Sequence, residues 1–154
     1  MRQIARPINH LLSSALCVTV FATAAFADTH LTDLKSHAGQ VQRGSEQVSL
    51  LLKAKQLDAQ AIRDKIATIG EDIENLQRLV VELEAAKPQF VQRGDKDWEL
   101  LKMKVQLLSI NYNIKHALSK EDDLKKNRSL LRAHATDLMR RSTLLRETAT
   151  RLER

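Results

Sequence analysis

Four histidines, His30, His37, His116 and His134, are the side chains of this 154-residue chain best suited to metal or proton chemistry once an N-terminal leader is set aside. Their spacing does not support a metal site. His30 and His37 stand two helical turns apart, not in the i, i+4 relation of a two-histidine zinc site, and no cysteine follows Cys17 to complete a ligand set. Both read as solvated surface histidines. Spacing is uninformative for His116 and His134. The acidic neighbours Asp72/Glu74 and Asp122/Asp123 have no nucleophile or phosphate-cradling loop beside them, and read as solvated helix faces. No G-x-S-x-G, Walker-type or HExxH pattern occurs, and the only glycines are Gly39, Gly44, Gly70 and Gly94. The expectation is a protein with no catalytic, cofactor-binding or metal-ligating residues.

A different chemistry is written in Trp98, Leu101, Val105, Leu108 and Tyr112. These five follow helical spacing and form an apolar stripe, but not the stripe that the surrounding heptad pattern assigns to the core. Exposed contiguous apolar surface marks an interface, and Trp and Tyr are frequent interface anchors. Two outcomes are open. The stripe is covered by self-association or by the chain folding back on itself, or it is a dedicated site for a protein partner or client.

The elements that must carry this stripe begin after residue 27. The segment "MRQIARPINH" holds Arg2 and Arg6 and no acid, an apolar run extends from Leu11 to Phe26, and Ala25-Phe26-Ala27 has the small-x-small form of a signal-peptidase site. The run is too short and too rich in Ser, Thr and Ala for a good membrane span. Leu16 before Cys17 is a poor fit to a lipoprotein cleavage site. Residues 1–27 are therefore expected to be a cleaved signal peptide, with the periplasm or the exterior as destination. Export removes Cys17, so the mature domain is expected to be held by packing without disulfides. Its charge is mild, 23 basic against 19 acidic residues, and export argues against nucleic acid as a partner.

Residues 28–154 contain only Phe90, Trp98 and Tyr112 as aromatics and are rich in Leu, Ala, Lys, Glu, Arg and Gln. This is helix-forming composition. Steps of seven from Leu31 give Ala38, Ser45, Leu52, Ala59, Ile66, Ile73 and Val80. Three residues after each comes Leu34, Val41, Val48, Lys55, Ile62, Ile69, Leu76 or Leu83. These are a and d positions of one long heptad pattern. A second phase runs through Leu100, Leu107, Ile114, Glu121, Arg128, Ala135, Ser142 and Ala149. Its d series is Met103, Ile110, Ala117, Leu124, Leu131, Leu138, Leu145 and Leu152.

Between the phases, Pro88 disfavours helix before it, Gly94 permits a turn, and Asp95 is a candidate N-cap. The predicted fold is all-α, a long antiparallel coiled-coil-like hairpin: arm 1 over about 29–86, a bend at 87–95, arm 2 over about 96–153. With Leu83 facing Leu100, the same register pairs Ile73 with Ile110, Leu52 with Leu131 and Ala38 with Leu145. Residues 28–86 carry net −3 and residues 87–154 net +7, which favours pairing of the two arms.

Two places disturb this picture. At mid-arm Lys55 would face Arg128, while Asp58 and Ser119 each resemble a helix start at nearly the same level. Continuous arms are the expectation because each phase passes through unchanged. The alternative is that both arms break there, folding the chain into a compact four-helix bundle, with the stripe of Trp98 to Tyr112 then in the core. Dimerisation of two hairpins would also give four helices. Nearer the N-terminus, Gly39 and Gly44 weaken the helix, which leaves open whether residues before Ser45 continue arm 1, fray or form a separate short helix.

In functional terms the sequence points to an exported, non-catalytic helical scaffold, adaptor or spacer of the cell envelope, acting through protein contacts and self-associating. The alternative is a periplasmic holdase or stress protein gripping clients on the stripe. The basic end, with Arg140, Arg141, Arg146, Arg151 and Arg154, could touch a membrane surface, but complementing the helix dipole is the simpler role.

Overall fold

A computed structural model of the chain describes the backbone of residues 11–86, 95–117 and 121–152, and side chains at 29–85, 97–98, 101–117 and 123–152. Pro88, Gly94 and Ser119 lie outside these residues. The described residues are helical apart from one turn. Helix α1 spans Leu11–Leu51, α2 Ala59–Ala86, α3 Asp95–Ala117 and α4 Glu121–Leu152. Helix α1 packs on α2 and α4, α3 packs on α4, and α2 meets α3 along a smaller contact. The result is a four-helix arrangement. None of the helices is long and apolar enough, among the described residues, to cross a membrane.

Arm 1 is therefore not continuous, and the expectation of two unbroken arms is corrected. The local chemistry explains where it stops. Lys53 N–H bonds the Leu50 carbonyl at 2.8 Å and Ala54 N–H the Leu51 carbonyl at 3.2 Å, tightening the end of α1 into i→i+3 bonds. Asp58 then caps α2: its Oδ1 accepts from Ala61 N–H at 2.9 Å, and its carbonyl accepts from Ile62 N–H at 3.1 Å. Arg128 of α4 closes the turn from across the bundle. Its Nε donates to the Leu52 carbonyl and its guanidinium Nη2 to the Ala54 carbonyl at 2.5 Å. The turn leaves Lys55 exposed, so this d position needs no apolar partner.

The core is drawn from the two heptad series, with Leu79 added from outside them. Leu31, Leu34, Ala38, Val41, Val48, Leu52, Ile62, Ile66, Ile69, Ile73, Leu76, Val80 and Leu83 are buried from arm 1. Met103, Leu107, Ile110, Ile114, Ala117, Leu124, Leu131, Ala135, Leu138, Leu145 and Ala149 are buried from arm 2. The same residues serve both topologies because a and d positions face a bundle's centre as they would face a partner helix. Burying a large aliphatic side chain contributes ~1.5–3 kcal/mol. Small residues set how closely helices approach. Ser45 and Ser142 are fully buried, and Ser142 Oγ donates to the Met139 carbonyl within its own helix at 2.9 Å.

Through the weak N-terminal segment α1 runs without interruption, past Gly39 and Gly44. Gly44 has a packing reason to be glycine. A Cβ there would stand 2.8 Å from Ile69 Cγ1, so its absence lets α1 lie close on α2. At Gly39 a Cβ would meet only the end of the Arg43 side chain, at 3.5 Å.

Candidate functional site

Helix α3 carries apolar residues on two faces. Met103, Leu107, Ile110, Ile114 and Ala117 point into the bundle and are buried. Trp98, Leu101, Val105, Leu108 and Tyr112 stand on the outside, between 50% (Leu101) and 66% (Tyr112) exposed. At about 100° per residue the two stripes are centred roughly 180° apart. The chain has folded back on itself without covering this surface, so the expectation that a compact bundle takes the stripe into its core is overturned. The reason is arithmetic. Two heptad series on one helix cannot both face one core when they differ by half a turn.

The ends of the stripe are fixed by polar neighbours. Lys102 Nζ lies 4.9 Å from the centre of the Trp98 ring, a cation–π contact of ~0.5–1 kcal/mol at an exposed site. The Tyr112 ring meets that of His116 edge-on, centroids 4.5 Å apart. The stripe is thus borne on a regular helix whose opposite face is anchored in the core.

The histidines sit differently from their predicted solvated placement. His37 Nδ1 lies 2.8 Å from Asp72 Oδ1, and His30 Nε2 lies 2.9 Å from Glu82 Oε2; both pairs join α1 to α2. Asp72 is buried rather than part of a solvated face. His134 Nε2 lies 3.4 Å from Ser109 Oγ, between α4 and α3. These contacts tie one helix to the next. Among the described residues no three His, Cys, Asp or Glu side chains converge as a metal site would need. No signal in the sequence placed His37 opposite Asp72, because the two-arm reading did not bring α1 and α2 together.

Two clefts flank the α1–α2 pair. One of about 610 Å³, at the turn, is lined mainly by Leu50, Leu51, Ala54 and Ala61, with Asp64 and Lys65 at its rim. The other, of about 350 Å³, is bordered by Arg43, Gln47, Lys65, Thr68 and Asp72. At the second, Thr68 Oγ1 donates to the Asp64 carbonyl at 3.1 Å and Asp72 Oδ1 is paired with His37. In the basic C-terminal helix, Arg141 is drawn inward. Its Nε donates to Gln106 Oε1 at 2.7 Å and its Nη2 to Asp137 Oδ2 at 3.1 Å, while Arg151 Nη2 donates to Thr148 Oγ1 at 2.8 Å. The outer stripe of α3 remains a run of apolar surface that packing within the described residues does not account for. Comparison with protein-family models, curated proteins and solved structures finds no match to this chain.

Proposed function

We propose that the protein is an exported, non-catalytic helical scaffold or adaptor of the cell envelope that works through protein contacts on the outer face of α3. One observation carries this reading: five large apolar side chains stay exposed in a row on a helix whose other face is buried. Apolar surface left in water is a standing cost, and contiguous patches of this kind mark interaction sites. The stripe keeps strict 3–4 spacing on a rigid helix, which suits a structured helical partner better than the irregular segments of an unfolded client. Export rests on the leader ending at Ala27. Cleavage there leaves the core residues from Leu31 onward intact.

The test is a photoreactive residue placed at Leu101 or Leu108 in the living host, with Glu71, exposed on α2, as control. Protein adducts formed at the stripe and not at Glu71 are expected. Equal labelling at all three positions, or none at the stripe, would end the reading.

A further inference from the structure

We infer that the outer stripe of α3 is the seat of a two-fold dimer in which α3 of one copy lies parallel and in register with α3 of a second copy. This rests on the scaffold reading and names its first partner.

The spacing makes the stripe self-complementary. Trp98, Val105 and Tyr112 recur every seven residues, with Leu101 and Leu108 three residues after the first two. In a parallel in-register pair each of these five layers meets itself across the axis, and all five are used. A β-branched residue at the central a position with Leu at d favours two parallel strands. An antiparallel pair must set a against d. One such register matches Trp98 with Leu108 and Leu101 with Val105, leaving Tyr112 unmatched. The other matches Leu101 with Tyr112 and Val105 with Leu108, leaving Trp98 unmatched.

Charge on the flanks selects the same arrangement. In a parallel pair a g residue faces the e residue five positions on in the other copy. Asp97 then faces Lys102 of the second copy, and the pair occurs twice by symmetry. Lys104 faces Ser109, and Asn111 faces His116. No like charges meet. Antiparallel pairing sets g against g instead, which in the first of those registers brings Lys104 near its own copy.

The available area sets the strength. Five side chains half to two-thirds exposed offer on the order of 500 Å² per copy. Two copies bury on the order of 1,000 Å² before any rim, just below the ~1,200 Å² at which specific interfaces begin. The dimer is accordingly weak, with a midpoint in the micromolar range. Because the stripe points directly away from the core, α2 and α4 do not stand between the two copies.

The protein is purified in the form that accumulates in its host and its mass is followed by sedimentation from low micromolar to several hundred micromolar. A doubling of mass is expected, shifted at least tenfold to higher concentration in Leu101→Asp/Leu108→Asp, with helicity and urea midpoint retained because both sites are exposed. In a Cys17→Ser background, Leu101→Cys and Leu108→Cys are each expected to give a covalent dimer on mild oxidation. Monomer at every concentration overturns the inference. It leaves the scaffold reading standing if stripe adducts to another protein form in cells. A dimer unaffected by the double Asp variant also overturns it. So does disulfide formation only when Val105→Cys is mixed with Leu101→Cys or Leu108→Cys, which would mean antiparallel pairing.

Discussion

Arg128 donates to the carbonyl of Leu52, 76 positions away in sequence, tying the start of α4 to the point where α1 ends. A second bond to the Ala54 carbonyl makes the guanidinium a clasp over the turn. Helix C-termini leave carbonyls without partners, and a planar, permanently charged fork suits two of them at once. Arg128→Met is expected to destabilise the bundle by ~1–3 kcal/mol, the range for stranded or lost charge-assisted bonds. Urea denaturation followed by circular dichroism measures it. Arg128→Lys should recover only part of the loss, since an ammonium cannot reproduce the fork. A midpoint unchanged in Arg128→Met would show that the clasp contributes nothing.

The turn also fixes the shape. A continuous arm from Asp28 to Ala86 would extend about 85 Å at 1.5 Å per residue, whereas α4, with 32 residues, reaches about 48 Å. Solution scattering on the exported form is expected to give a longest dimension of about 50–60 Å. A rod longer than about 80 Å would contradict the break at 52–58.

Gly39 and Gly44, five residues apart on α1, are expected to respond in opposite directions to alanine. At Gly39 the new methyl meets only the flexible end of Arg43, so the helix-propensity gain of about 1 kcal/mol should appear as higher stability. At Gly44 the methyl would stand 2.8 Å from Ile69 Cγ1. Gly44→Ala should therefore lose stability by ~1–3 kcal/mol through overpacking. Thermal melts of the two variants side by side decide the matter.

His37 and Asp72 form a pair whose halves depend on each other. His37→Leu removes the partner of a buried carboxylate and should cost ~1–3 kcal/mol. His37→Leu combined with Asp72→Leu should return most of that stability, since no buried acceptor is left waiting. The double-mutant cycle in urea checks this, and simple additivity of the two single losses would show that the contact carries no coupling.

Most of the core was legible, because heptad positions are buried in a hairpin and in a bundle alike; Leu79, buried from outside both series, was not. Topology was not. Its decisive residues, Arg128 and Asp58, act through backbone bonds across 74–76 positions and three positions respectively, and a periodic pattern marks the first only as a misfit, without its partner. Lys55 and Arg128 stood out as misfits in the seam. They are misfits because the seam bends there. The outer stripe was found from spacing alone, but its exposure in a folded-back chain follows from the half-turn offset between the two stripes of α3. The His37–Asp72 pair stayed hidden, since sequence separation says nothing about a contact that exists only once α1 and α2 turn against each other.

A helix with two apolar faces has two ways to lie on the same core. Rolled half a turn about its axis, α3 would offer Leu101, Val105 and Leu108 to the bundle in place of Met103, Leu107, Ile110 and Ile114. What distinguishes the faces is bulk. The outer stripe begins with Trp98 and ends with Tyr112, while the inner one ends with Ala117, which is fully buried. A close-packed interior costs about 1–3 kcal/mol for each oversized insertion, so the two rings act as stops against the rolled state. The two aromatic residues at the ends of the outer stripe therefore do more than add apolar area: their size holds that face outside.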